Sequence, residues 1–369
     1  MRKFFLVFAL IITTPAFADG IRVTDNGILE LYLAPPRRHF DWSTPRSTAF
    51  SFLGSRLRAH ELNPISREKT ALGHGMIHVS CNNSSGTAVE FWTGITGQDN
   101  PTESTDLVLK EKIGMGIMFH NFKDGFLQKD EDVHAILSSY YGRSEKNRFG
   151  HHSRIKPKFL QYGLSSTQCD EVESFFNTFK ARQYDKPTLE QVALKKPEDV
   201  LSFGLTLDPY NLYLNNQKTP GSPLGGGCTS FATSFLKVAN VFDPGLDDFF
   251  LRTTTMTKSR LIGSKENPVP LESILLGNRG TAWLNEPVNS NDLYAVTFYD
   301  PEKIYDFIDG LLACSDDEAS TMSSCDDTIQ SWKTGLEKQG SSFKKVTREV
   351  QGSYQGKQFS NTLEGVRIN

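Results

Sequence analysis

The chain is poor in cysteine and in net charge. Its 369 residues hold five cysteines, and 40 lysines and arginines stand against 43 acidic residues. So few cysteines exclude a small disulfide-dense scaffold. The near balance of charge excludes a polybasic nucleic-acid binder and an acidic disordered chain. No apolar run after residue 18 is long enough to span a bilayer, so no transmembrane segment is expected. Signatures that carry chemistry are missing too. There is no G-x-S-x-G, no H-E-x-x-H and no G-x-x-x-x-G-K-[ST]. No Cys or His cluster has zinc spacing, no cofactor is implied, and no internal repeat is visible. What remains is ordinary for a globular protein, with 38% hydrophobic and 22% charged residues. The length accommodates about two domains.

The first residues read MRKFFLVFALIITTPAFADG. Arg2 and Lys3 make a positive start, Phe4 to Ile12 is continuously apolar, and Ala16-Phe17-Ala18 is an A-x-A cleavage site. Residues 1–18 are therefore expected to be a signal peptide, with the mature chain beginning at Asp19. Export to the periplasm or to the exterior follows, and with it an oxidising compartment in which cysteines pair. Cys314 and Cys325 are the easiest pair, because they flank an acidic loop between two helical patterns. Cys81 and Cys169 make a second pair, which leaves Cys228 over.

Periodicity supplies the elements. Residues 19 to about 60 look irregular, with an aromatic and proline-rich stretch. Ala71 to Cys81 alternates as a strand, NNSSG is a turn, and Thr87 to Gly94 returns as the second strand of a hairpin. Leu107 to Phe119 reads as a third strand. Tyr140 to Lys158 is a basic loop holding His151 and His152, a solvated face or a holder of anionic headgroups. Ser166 to Arg182 is a helix with acids in its first turn and arginine at its end. Phe231, Phe235, Val238 and Ala239 recur at helical spacing, so a helix starts at or just after Cys228. Asp300-Pro301 caps another, and Asp326 opens the next. The chain ends in a polar Gln/Ser/Gly-rich tail expected to sit loosely.

A cysteine at a helix N-terminus sits where unpaired N–H groups and the helix dipole favour a thiolate. Gly225, Gly226 and Gly227 precede it, so a substrate can approach the backbone. The same N–H groups can stabilise an oxyanion. His74, flanked by Gly73 and Gly75 at the start of a strand, is the candidate base.

Leu72-Gly73-His74-Gly75-Met76-Ile77, followed much later by Gly227-Cys228-Thr229-Ser230-Phe231, resembles the papain-like fold in its NlpC-type form, in circularly permuted order. The likeness covers about 160 residues and points to a bacterial cell-envelope subset. It implies an α+β fold in which an antiparallel sheet packs on the cysteine-bearing helix. Residues 19–240 would form this catalytic domain, and 241–369 a C-terminal extension of mixed structure. It further implies a cysteine nucleophile, a histidine base and a third polar residue that orients the histidine. The substrates it suggests are cell-wall peptides and, in some branches, lipid esters or amides.

The third residue is expected on the strand after His74. If Cys81 lies across from Thr87, His74 faces Gly94 and His78 faces Glu90. Glu90 then shares the face of His74 but lies about 13 Å along the strand at ~3.3 Å per residue. Thr93 and Gln98 are alternatives, and Glu90 is the expectation taken forward. His78 reads as a core or cross-strand partner. The expected activity is hydrolysis of an amide, with Cys228 attacking, His74 accepting the thiol proton and Glu90 holding the imidazole. The alternatives are a non-catalytic envelope binding or adaptor protein on the same fold, and a lipid acyl hydrolase or transferase.

Overall fold

The computed structural model describes residues 26–36, 39, 41, 51, 73–96, 126–140, 144–146, 152–182, 228–257, 293–314, 325–354 and 356–369. The expected signal peptide, the strand at 107–119, Gln98, His151 and the glycines 225–227 lie outside these residues. The fold is α+β. Seven strands form one mixed sheet in the order β10-β11-β7-β1-β2-β3-β4. They are β1 (Gly27–Ala34), β2 (His74–Asn82), β3 (Ala88–Thr96), β4 (Phe126–Leu127), β7 (Lys158–Gly163), β10 (Phe343–Tyr354) and β11 (Lys357–Ile368). Among the described strands only the β11–β7 contact is parallel. Two small hairpins stand apart, β5 (Ser144–Lys146) with β6 (His152–Arg154), and β8 (Leu251–Thr257) with β9 (Leu293–Tyr299). Part of the basic segment expected as a loop is thus a hairpin.

Strand β1 falls in the segment expected to be irregular, and it is central to the sheet. Its period of two sends Leu29, Leu31 and Leu33 to one face and Glu30, Tyr32 and Ala34 to the other. Both sets are buried. Ile77, Val79 and Cys81 of β2 join the leucine face, which is covered by α2 (Ser166–Arg182), α3 (Cys228–Val238) and α5 (Pro301–Ala313). Tyr32, Met76, Trp92 and Phe159 lie on the other face under α1 (Asp130–Ser139) and the β10–β11 hairpin.

The polar tail is no loose end. Residues 343–368 form two twelve-residue strands in continuous antiparallel register. Gly356, with φ 77°, supplies the left-handed backbone at their turn. Val350, Leu363, Val366 and Ile368 point inward, as does Asn361, which donates to the Leu137 carbonyl at 3.1 Å, while Gln358, Ser360, Thr362 and Glu364 face water. The hairpin joins β7, so the segment after 240 contributes strands to the same sheet as β1 and β2.

Helix ends follow their caps. Asp300 accepts from Glu302 N–H at 2.9 Å, with Pro301 in the first turn of α5. Asp326 accepts from Thr328 N–H at 2.8 Å to open α6 (Asp327–Lys338). The short α4 (Leu246–Phe250) leads into β8. Disulfides join Cys81 to Cys169 and Cys314 to Cys325. The first ties the end of β2 to α2, and the second closes the α5–α6 connection. Among the described residues no helix is long and apolar enough to cross a membrane.

Glu30 is fully buried at the middle of the sheet. It accepts from His78 Nδ1 at 2.7 Å, Gln161 Nε2 at 2.6 Å, Arg348 Nη2 at 2.8 Å and the Tyr32 hydroxyl at 2.9 Å. Burial would raise its pKa. The His78 hydrogen bond, the Arg348 and His78 charges and the Gln161 bond outweigh burial and hold the carboxyl below its ordinary range. Four strands, β1, β2, β7 and β10, are joined through this one carboxylate.

Glu30→Ala should cost about 3–5 kcal/mol in urea melts at pH 7, because Arg348 is left uncompensated. A depressed carboxylate contributes stability that is present above its unfolded pKa and lost as pH falls through its folded pKa. Wild type and Glu30→Gln should therefore converge in stability on acidification, and parallel pH profiles would contradict the account. Replacing Cys81 and Cys169 together by alanine opens a linkage spanning 88 residues. It should cost about 2–5 kcal/mol, read as a lower thermal midpoint.

Candidate active site

Cys228 is the first residue of α3. Phe231, Phe235 and Leu236 anchor the helix in the core. The hydroxyls of Thr233 and Ser234 turn back on the carbonyls of Thr229 and Ser230, at 2.9 and 2.7 Å, so buried polar groups along α3 are satisfied within it. The Thr229 hydroxyl donates to the Tyr299 carbonyl and fixes the first turn against the end of β9.

That first turn lies on the start of β2. A Cβ on Gly75 would stand 3.0 Å from Thr229 Cα and 3.2 Å from its nitrogen, so only glycine admits the helix this close. The Gly75 N–H is directed at the Cys228 sulfur, together with the N–H groups of Thr229 and Cys228. The thiol therefore lies on the Ile77 and Val79 face of β2, one residue along the strand from His74, whose side chain leaves on the opposite face, so the described contacts do not join the two. Gly73, with φ 85°, turns the chain into β2, and a Cβ there would meet Pro301 Cγ at 2.9 Å. The start of α5 thus walls the same end of the sheet.

Cys228 is the only cysteine outside a disulfide. Cys228 is half-buried; desolvation pushes its thiol above the ordinary value, and the three N–H groups pull the other way without overcoming it. The thiolate expected from the helix N-terminus is therefore not the resting form at neutral pH.

His74 is buried, and by strand alternation its side chain belongs with Met76 and His78. Its Nε2 lies 2.7 Å from Gln128 Oε1. An amide oxygen only accepts, so Nε2 carries the proton and the basic lone pair falls on Nδ1. Gln128 follows β4 directly. Its N–H donates to the Gly94 carbonyl at 2.8 Å, which places the side chain over β3. Its Nε2 is buried and has no hydrogen-bond partner among the described residues.

Glu90 does not hold His74. The register is two residues from the one expected, with Ser80 across from Glu90 and Met76 across from Gly94. Glu90 has its side chain 68% exposed and comes within 3.7 Å only of His78 Nε2. Hairpin register is set by the turn, and the turn here is centred one residue later, on Ser85: the Asn83 carbonyl accepts from the Gly86 N–H, and the Asn83 N–H donates to the Thr87 carbonyl. Thr93, the other described alternative, is buried and donates to the Gln128 carbonyl at 3.4 Å. His78 is a core residue, stacked on Trp92 with centroids 3.9 Å apart. Cys169, which also lies in the first turn of a helix, is in the disulfide with Cys81. In the basic segment, Lys158 pairs with Asp309 and lies over the Tyr305 ring.

Sequence reasoning missed Gln128. It stands in FLQKDED, about fifty residues from His74, and nothing in that stretch marks it. Among the described residues no group of three or more His, Cys, Asp or Glu side chains is placed to hold a metal ion. No family model, no curated protein and no solved structure matches the chain.

With a raised thiol pKa, alkylation of Cys228 by iodoacetamide should be slow at neutral pH and still accelerate beyond the range in which an ordinary thiol has levelled off. A plateau reached below pH 7, measured by mass spectrometry of the labelled peptide, would overturn the assignment of a protonated resting thiol.

Proposed function

We propose that the protein is an exported cysteine hydrolase that cleaves an amide bond, with peptidoglycan peptides as its first substrate class. The observation that carries this reading is the bond from His74 Nε2–H to Gln128 Oε1, at the strand end whose next residue packs on the Cys228 turn. It gives the histidine a defined tautomer with Nδ1 as base. The two disulfides are compatible with the oxidising compartment that export implies.

In this mechanism the His74 ring, which leaves β2 on the face opposite α3, reaches round the strand end, and Cys228 Sγ–H gives its proton to Nδ1 as the sulfur attacks the carbonyl carbon. The carbonyl oxygen becomes an oxyanion, and backbone N–H groups at the start of α3 stabilise it. The C–N bond breaks, the amine leaves with the proton from Nδ1, and a thioester remains. Water then gives a proton to Nδ1 and attacks the thioester, releasing the acid and restoring the thiol. Because burial disfavours a resting thiolate, proton transfer accompanies attack instead of preceding it.

That same burial favours a second reading, an envelope binding protein without turnover. Purified muropeptides separate the two. Under the hydrolase reading wild type releases a new amine, Cys228→Ala releases none, and His74→Ala lowers kcat about 10²–10⁴-fold. Turnover unchanged in Cys228→Ala removes the mechanism. Binding without turnover in wild type selects the adaptor, and fatty acid released from lipid substrates in place of amine selects the acyl hydrolase.

A further inference from the structure

The Gln128 amide rests on a gap in β3. Gly94 lies across from Met76, and a Cβ built on it would stand 2.5 Å from Gln128 Oε1, 3.2 Å from Met76 Cγ and 3.3 Å from the Gly75 carbonyl oxygen. The volume that a side chain at 94 would fill is the volume the amide oxygen occupies. The backbone of Gln128 is held at the same place. Its N–H donates to the Gly94 carbonyl at 2.8 Å, and its own carbonyl accepts from the Thr93 hydroxyl at 3.4 Å. Backbone and side chain thus fold over one residue of β3 and point Oε1 at His74 Nε2, 2.7 Å away.

We infer that Gly94 is a positioning residue: by lacking a side chain it seats the Gln128 amide, and through that amide it keeps the His74 proton on Nε2 and the basic lone pair on Nδ1. The catalytic consequence rests on the proposed hydrolase function, but the placement of the proton does not. Gly94 touches neither nucleophile nor base. It acts through Gln128, and a purely structural glycine would show no dependence on that residue. A Cβ at 94 collides first with the far end of a flexible side chain, so the amide is expected to yield before the strand does.

Protein labelled with ¹⁵N-histidine tests this at neutral pH. Wild type should show a slowly exchanging His74 Nε2–H resonance, and a proton on Nδ1 overturns the inference outright. Gly94→Ala should lose the protected resonance, as should Gln128→Ala. Retention of the resonance in Gly94→Ala overturns it. On muropeptide substrate Gly94→Ala should lower kcat about 10²-fold with little change in KM. That loss should vanish when the substitution is made in Gln128→Ala. If Gly94→Ala alone does not fold, the double variant should, since the colliding atom is gone. A double variant that stays unfolded, or losses that simply add, count against the inference. Full turnover in Cys228→Ala would remove the hydrolase reading and leave the resonance results standing.

Discussion

Strand β2 is buried on both faces, and nearly every side chain it carries must find its partner inside the protein. On one face Ile77, Val79 and Cys81 belong to the core beneath α2, α3 and α5. On the other, His74 and His78 are polar groups at 2% exposure that water cannot solvate. Leaving a buried polar group unpaired costs about 1–3 kcal/mol, so each ring is held by a specific acceptor. Glu30 takes His78 and Gln128 takes His74. The rest of the architecture supplies those acceptors. β1 is set beside β2 in a register that puts Glu30 across from His78, and the β3–β4 connection returns Gln128 over Gly94.

The two histidines illustrate how similar surroundings lead to different chemistry. His78 lies in mid-strand, stacked on Trp92 and bonded to a carboxylate that also binds Arg348, Gln161 and Tyr32. It is part of a charge cluster that joins the C-terminal hairpin to the centre of the sheet. His74 lies at the strand end, where Gly73 and Gly75 remove side chains and helices α3 and α5 both begin. Its acceptor is a neutral amide, which fixes a tautomer without adding charge. A thiol whose N–H donors include Gly75 stands one residue away. The sulfur and the ring thus meet the same strand end from opposite faces of β2, with α3 on the Ile77 side and His74 on the Met76 side.

Burial sets the character of the sulfur. A helix N-terminus favours a thiolate, and the N–H groups here do act in that direction. Enclosure by the sheet wins, and the thiol is raised. A thiol kept neutral at rest differs from a preformed ion pair in how it responds to pH and to alkylating reagents. Thr229 packs closely on Gly75, and a side chain there would force the first turn of α3 to shift.

Local signals in the sequence determined a good deal. The cap residues Asp300 and Asp326, the helix at 166–182, the helix from Cys228 and the hairpin near residue 85 are legible because capping and periodicity act over a few residues. The Cys314–Cys325 pair was legible because the two flank one short acidic loop, whereas the pairing of Cys81 with Cys169, 88 residues apart, was decided by the fold. Three further things were decided only by tertiary structure. β1 looked irregular because it is buried on both faces and carries a charge, so it lacks the polar alternation of a surface strand. The last 27 residues looked loose because their strands are polar on the side facing water, and only pairing with β7 makes them part of the sheet. Gln128 was invisible because a lone glutamine carries no pattern. Its role arises from the emptiness above Gly94 and from a strand register that the turn at Asn83 fixes, neither of which any window of sequence contains.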